Sequence, residues 1–397
     1  MSLHVLSDGD VRSLLASLDA AALEDLFSAL GDALQAYSVG DEKQYQCHRQ
    51  GVTRPGGPTM LFMPATLADG VSVKVVGVPL PAPASMPVSS PSPSPSPSTP
   101  KGLTGVVLIC DQDGRAIGLL NAAALTAFRT ALGSILLYRH RATTARIVVF
   151  GAGKQALWHI RLALVLRRAD IAAVTIVNRS AARAAELVAE LRAMDEAQQG
   201  SADATLHHVA FRVLSPEAAD VEAVREAVQQ ADVVFCTTPS TSPVFPAAWL
   251  TGAAVEGKPK TRFISAIGSY KLDMQELDPV LLHTIATDDI FPASYRPPTA
   301  IDVTGSTIVV DSRDACAVEA GELVKADLPD GHLLETGELL HMRSTLSALE
   351  DRQLAAWLCD GNVVYKSVGI GIMDLSIGRA LLELGAARGV GTTIAHF

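Results

Sequence analysis

The residues best suited to chemistry begin at Arg146-Ile-Val-Val-Phe-Gly-Ala-Gly-Lys-Gln-Ala156. A short β-branched run enters a turn of the form G-x-G-x-x-A, and an apolar stretch from Leu157 to Leu166 follows. In such a turn Gly151 permits the tight reversal, Gly153 lets the backbone approach a pyrophosphate, and Ala156 keeps the following helix close to its sheet. The phosphates rest on free N–H groups at a helix N-terminus, with Lys154 and Gln155 beside them. The other reading of the same residues is a plain strand–helix turn. The next strand, Ala173-Val-Thr-Ile-Val-Asn178, ends in Asn178-Arg179-Ser180, where an NAD-preferring site carries a carboxylate for the ribose 2′-hydroxyl. A carboxylate would repel a 2′-phosphate, whereas a guanidinium can grip one with two hydrogen bonds. NADPH is therefore the expected cofactor, with NADH second. The bland alternative makes Arg179 a solvated residue opening the helix from Ala181.

Lys74 stands in the strand Val71 to Val78. Alternation puts it on one face with Ser72, Val76 and Val78. On a buried face its charge needs a partner, and there it can act as a proton donor. On an edge strand it would only deter aggregation. Two strand ends carry further polar groups. Cys236-Thr237-Thr238-Pro239-Ser240 ends the fourth strand of the nucleotide region and Ala266-Ile267-Gly268-Ser269-Tyr270 the fifth, so Thr237, Thr238, Ser240 and Ile267 are expected at the cofactor. Lys366 and Ser367 precede a glycine turn, and close the nicotinamide side or serve only loop solvation.

These groups need a scaffold. Residues 7–37 read as helical, 59–65, 71–78 and 103–110 as strands, Asp111–Gly114 as a hairpin turn, 116–120 as the returning strand and 121–140 as a helix broken near Gly133. From Arg146 strands (146–150, 173–178, 207–213, 232–237, 262–267, 307–311) alternate with helices (154–168, 181–195, 217–230, 313–325). This rhythm implies a Rossmann-type α/β fold with a doubly wound parallel sheet. Asn362–Gly369 and the helix from Asp374 are expected to return to the first domain. The domains are then 1–142 plus 346–397 for substrate binding and dimerisation, and 143–345 for the dinucleotide. Pro81–Pro100, with its Ser-Pro repeats, reads as a surface insertion, either an inert extension or a ligand for a proline-binding module.

Bulk properties narrow the function. A net charge of −10 without basic runs argues against nucleic acid or an anionic membrane as partner. No stretch approaches the roughly 18 apolar residues of a membrane span, and the N-terminus lacks a secretory pattern, so a cytoplasmic protein is expected. The 5 scattered cysteines suit a reduced compartment. No metal-ligand spacing appears; His207, His208, His332 and His341 read as structural or solvated.

Several segments together resemble the ornithine cyclodeaminase/μ-crystallin family: Met63-Pro-Ala65, Lys74-Val-Val76, Lys101-Gly-Leu103, Leu125-Thr-Ala-Phe-Arg-Thr130, Gly151–Ala156, Glu276-Leu-Asp278, Val310-Asp-Ser-Arg313 and Lys366-Ser-Val-Gly369. They follow the family's order and span nearly the whole chain. The resemblance implies a Rossmann domain, a split α/β domain and a homodimer. It also implies a family of ornithine cyclodeaminases, ketimine reductases, pyrroline-2-carboxylate reductases and some alanine dehydrogenases. It makes Arg129 a carboxylate clamp that also meets cofactor phosphate, with Thr130 on the phosphates. Arg49, or its neighbour Arg54, holds the carboxylate too, Thr104 joins the substrate set, and Lys74 acts on the imine. Cyclodeaminases have acids where this chain has Leu61 and Tyr270. The loop Gly268–Leu277, with Asp273 as a relay carboxylate or a turn residue, resembles the ketimine-reductase version. The expected activity is NADPH-dependent reduction of a small cyclic imino acid. Ornithine cyclodeaminase, alanine or amine dehydrogenase, and a low-turnover NADPH-dependent binding protein are the alternatives.

Overall fold

A computed structural model describes residues 2–79, 102–199, 208–217, 219–251, 254–255, 258–287, 307–329 and 331–397. The expected Pro81–Pro100 insertion and His207 lie outside these residues. Contacts divide the chain into two compact units, Met1–Leu15, Gln44–Thr126 and Gly371–Phe397 in the first, Ala16–Lys43 and Ala127–Ile370 in the second.

The first unit is built on a seven-stranded sheet. Its strands are β1 (Ser2–Leu6), β2 (Gln50–Thr53), β3 (Thr59–Leu67), β4 (Gly70–Val78), β5 (Thr104–Asp111), β6 (Ala116–Asn121) and the C-terminal β17 (Thr392–Ala395). Their order is β17-β1-β6-β5-β4-β3-β2. β2 to β6 form an antiparallel meander, and β1 joins β6 in parallel. The β5–β6 reversal uses Gly114 at φ +79°, a conformation that suits glycine. Alternation on β4 buries Ser72, Lys74 and Val76 and exposes Val71. β4 lies between β3 and β5, so Lys74 is an interior residue of the sheet and not an edge lysine. The helix Gly371–Arg388 lays Leu382 over Gly118, where a side chain would collide with it.

The second unit carries an eight-stranded sheet, parallel throughout: β7 (Arg146–Phe150), β8 (Ala173–Val177), β9 (Ala210–Leu214), β10 (Val233–Cys236), β13 (Phe263–Ala266), β14 (Ile308–Val310), β15 (Leu333–Glu335) and β16 (Val363–Lys366). Between β10 and β13 lies a two-stranded pair, β11 (Ala254–Val255) and β12 (Lys258–Pro259). The large sheet runs β15-β14-β16-β13-β10-β7-β8-β9. Succession runs outward from β7 through β8 to β9 and restarts at β10 on its other side. The switch point therefore lies between β7 and β10, where doubly wound sheets bind ligands at their carboxyl ends. Val148, Phe150, Val234, Ile264, Val310 and Val364 belong to one buried core.

Several expectations are corrected. The segment 7–37 is two helices, Asp8–Ala16 and Ala20–Ser38; Asp19 breaks the run by capping the second, accepting from the Ala22 N–H at 2.8 Å. The helix Ala122–Tyr138 continues through Gly133, because its buried surroundings hold it. The expected helix 313–325 is split into Arg313–Glu319 and Gly321–Ala326, with Gly321 packed against the carbonyls of Leu272 and Met274. Asn362–Gly369 does not return to the first unit. Val363–Lys366 is wholly buried between β13 and β14, as a continuous apolar run in a parallel sheet should be. The first unit takes the chain from Gly371 onward, the helix Gly371–Arg388 and β17.

Candidate active site

The glycine turn has the geometry of a phosphate cradle. Gly151 sits at φ +110°, and a Cβ there would lie 2.7 Å from Thr237 Oγ1. The helix Lys154–Arg167 starts from Gly153, and no side chain caps it. A Cβ built on Gly153 would meet no atom within 4 Å, so the backbone that opens this helix is not crowded at that point. Ala156 is fully buried against the sheet, and Lys154 is exposed. Among the described residues, Gln155 Oε1 and Thr238 Oγ1 are buried oxygens without a hydrogen-bond partner. A dinucleotide pyrophosphate fits this arrangement, since the partial positive end of a bare helix favours an anion, and the Thr238 hydroxyl keeps a proton to donate.

At the end of β8 the Asn178 amide donates to Ser180 O at 2.8 Å. The Ser180 hydroxyl accepts from the Arg183 N–H at 3.3 Å and so caps the helix Ala181–Gln199. These two residues shape the turn, and Arg179 is exposed on it.

The ends of β10, β13 and β16 are tied together by buried charged groups. Thr237 spends its hydroxyl on Phe150 O at 2.8 Å, fastening β10 to β7. Glu276, fully buried, accepts from the Thr238 N–H at 2.6 Å on one oxygen and from the Gly268 N–H at 2.5 Å on the other. Burial pushes its carboxyl up to about 7, a larger effect than the opposing pull of Lys366 and the two N–H bonds. Lys366, also fully buried, donates to Ser269 O and Oγ at 2.6 and 2.7 Å and pairs with Glu322 at 3.1 Å. Asp311 accepts from Ser367 Oγ at 2.6 Å and from the Gly369 N–H at 2.7 Å. Gly369, at φ +83°, lies under the Arg129 guanidinium; a Cβ there would sit 2.8 Å from Arg129 Nη1. Arg129 and Thr130 are both buried. Ser240 donates to Ser242 O at 2.6 Å, a local turn bond, and Ile267 is buried at the end of β13.

In the first unit Lys74 Nζ meets Asp374 Oδ2 at 2.6 Å, with side chains 2% and 1% exposed. Neither charge could be buried alone at tolerable cost. Arg49 is half-buried just before β2, Arg54 is exposed just after it, and Thr104 is exposed at the start of β5. Leu61 faces Val76 across the β3–β4 ladder, an apolar position. Asp273 is exposed, three residues from the buried Glu276.

The structure thus places Gly151, Gly153, Gln155, Ala156, Thr237, Thr238 and Ile267 at neighbouring strand ends of one sheet, with Asn178 and Arg179 at the adjoining one. It directs the side chains of Lys366 and Ser367 inward, to Glu322 and Asp311. Sequence reasoning missed the roles of Glu276, Asp311, Glu322 and Asp374. Two signals were available: Glu276 and Asp311 stand in segments that carry the family resemblance, and Asp311 and Asp374 are acids set among apolar neighbours, Ile-Val-Val-Asp311 and Gly-Ile-Met-Asp374. Among the described residues no group of three or more His, Cys, Asp or Glu side chains is placed to hold a metal ion, and no helix is long and apolar enough to cross a membrane.

A parallel doubly wound sheet with an uncapped glycine turn at its switch point defines a dinucleotide-binding α/β protein. The chain belongs to the ornithine cyclodeaminase/mu-crystallin family, whose model matches residues 18–302. A Δ1-pyrroline-2-carboxylate reductase of Bacillus cereus is 27% identical over 300 residues, covering 74% of this chain and 75% of that protein. Two solved structures share the fold. The Δ1-pyrroline-2-carboxylate reductase of Thermococcus litoralis, in complex with NADH and L-proline, superposes with a TM-score of 0.66 at 18% identity, over 98% of this chain and 100% of that one. An archaeal alanine dehydrogenase dimer with bound NAD gives 0.65 at 19% identity, over 100% of both chains.

Proposed function

We propose that this protein is an NADPH-dependent oxidoreductase that reduces the C=N bond of a small cyclic imino acid, of the pyrroline-2-carboxylate or piperideine-2-carboxylate type, to the cyclic amino acid. The observation that carries the reading is the bare helix N-terminus at Gly153 beside a strand end bearing Asn178 and Arg179 instead of a carboxylate. When bound, the coenzyme supplies the hydride to the imine carbon.

The chain's own residues do the rest. Gly151, Gly153, Lys154, Gln155, Ala156 and Thr130 receive the phosphates, and Asn178, Arg179 and Ser180 the 2′-phosphate. Thr237, Thr238, Ser240 and Ile267 line the ribose and nicotinamide, with Lys366 and Ser367 contributing backbone, since their side chains are engaged elsewhere. Arg129 and Arg49 hold the substrate carboxylate, with Arg54 as the alternative to Arg49, and Thr104 adds a hydroxyl. Lys74 Nζ donates a proton to the imine nitrogen while Asp374 holds and neutralises the ammonium. The exposed Asp273 serves as the relay carboxylate that brings in from solvent the proton the reduction consumes. The enzyme works as a cytoplasmic homodimer.

The test follows NADPH absorbance against five- and six-membered cyclic imines, with and without ammonium. The reading predicts oxidation without ammonium. Release of ammonia from L-ornithine would support a cyclodeaminase, an absolute need for ammonium an amine dehydrogenase, and tight NADPH binding without oxidation a binding protein. Leu61 and Tyr270, which are not acids, favour the reductase over the cyclodeaminase. Lys74→Ala should cut turnover by about 10²–10⁴-fold and leave the coenzyme Kd unchanged; unchanged turnover would remove Lys74 from the mechanism.

A further inference from the structure

Glu276 joins two strand ends that sequence separates. One oxygen takes the N–H of Thr238, just past β10, and the other takes the N–H of Gly268, just past β13. The two strand ends also touch directly, since any side chain on Gly268 would press into the Thr238 backbone. The bridge is reinforced from its own segment: the Val244 N–H donates to Glu276 O at 2.8 Å and the Gln275 N–H to Ser240 O at 2.8 Å. Thr238 Oγ1 is left buried without a partner, beside the backbone that Glu276 holds. Next along the chain, Ser269 is fixed by Lys366 and Glu322. A carboxylate offers each N–H group its own oxygen, because both of its oxygens are acceptors.

We infer that Glu276 is a positioning residue for the nicotinamide half of the coenzyme, holding the β10 and β13 strand ends as one rigid wall for the ring and its ribose. The inference rests on the coenzyme reading above and deepens it. Glutamine at this position has the same shape but only one acceptor. Its NH₂ would face one of the two N–H groups, and that strand end would be released. The glycine turn at Gly151–Gly153 makes no hydrogen bond to the Glu276 side chain, so the adenine and phosphate half of the coenzyme should be indifferent to the change.

The experiment compares two ligands by calorimetry on the full chain: NADPH, and 2′-phospho-ADP-ribose, which lacks the nicotinamide. Glu276→Gln is expected to weaken NADPH about tenfold while 2′-phospho-ADP-ribose stays within about twofold of wild type. An unchanged NADPH affinity would overturn the inference, as would an equal loss for both ligands, which marks a merely structural residue. Should the glutamine variant fail to fold, Glu276→Asp is put through the same pair and judged by the same results, since it keeps the charge but is one methylene too short to reach both N–H groups. A wild type that binds neither ligand would instead sink the coenzyme reading itself.

Discussion

The two halves of the parallel sheet's carboxyl edge are built on opposite plans. At β7 and β8 the groups offered to a ligand are backbone N–H groups and an exposed arginine, arranged by glycines and a short turn. At β10, β13 and β16 backbone N–H groups are instead consumed internally, by the buried carboxylates of Glu276 and Asp311, while Glu322 pairs with Lys366. The first plan suits a strongly charged, geometrically undemanding group such as a phosphate, for which open N–H groups and a helix dipole suffice. The second suits a neutral ring that must be held at a fixed distance from another reactant, where orientation matters more than charge. Burial raises Glu276 in spite of its hydrogen bonds, so this carboxylate is retained at some cost to stability. That cost is expected of a residue kept for geometry.

Four variants or conditions sharpen or break this contrast. The largest effect belongs to Gly151→Val. It combines a positive φ with a clash at Thr237, and should weaken NADPH by about a hundredfold or more, read by titration. Near-normal binding would mean the turn is not a phosphate cradle. Next, Asp311→Ala leaves the Ser367 hydroxyl and the Gly369 N–H without their acceptor. Denaturant unfolding should show a loss of about 2–4 kcal/mol, whereas a loss below about 0.5 kcal/mol would deny the carboxylate its tying role. Third, Arg179→Asp lies on the exposed half. It should weaken NADPH about 10–100-fold and NADH only slightly, at unchanged thermal stability. Equal weakening of both coenzymes would remove the 2′-phosphate contact.

The smallest effect is one of pH. Protonation turns one Glu276 oxygen into a hydroxyl, a weaker acceptor for its N–H whose own proton then needs a partner. Coenzyme affinity should therefore fall a few-fold as pH drops below about 7, and be flatter in Glu276→Gln. The charged and titratable groups around Glu276 are Lys366, Glu322 and Cys236. The stability term has the opposite sign. The native carboxyl titrates above its ordinary 4.5, so its contribution is full below that value and is lost as pH rises through about 7. Parallel pH curves for wild type and Glu276→Gln would contradict the assignment.

How much of this was legible follows from the same division. The glycine turn is six consecutive residues, each with a local conformational job, so the sequence alone locates it. Asn178-Arg179-Ser180 follows by counting one crossover further. Alternation on β4 grouped Lys74 with Ser72, Val76 and Val78, since side-chain direction in a strand depends only on parity, and the fold made that face the buried one. The partners of these groups were not readable. Thr238 and Glu276 are 38 residues apart, Asp311 and Gly369 58, and Lys74 and Asp374 300. No local pattern encodes which buried acid meets which donor. For the same reason Asp273 drew attention over Glu276 in one loop, and the buried run Val363–Lys366 was assigned to the wrong unit. A four-residue apolar strand looks alike in either sheet.

We propose that this edge binds one NADPH, with its phosphates at Gly153 and its nicotinamide at the Glu276-tied strand ends. The most direct measurement is the structure of the protein crystallised with NADPH. The pyrophosphate is expected on the first-turn N–H groups of Lys154–Arg167, the 2′-phosphate against Asn178 and Arg179, and the nicotinamide against Thr238 and Gly268. A nucleotide bound elsewhere, or one whose nicotinamide leaves Thr238 and Gly268 untouched, would contradict it.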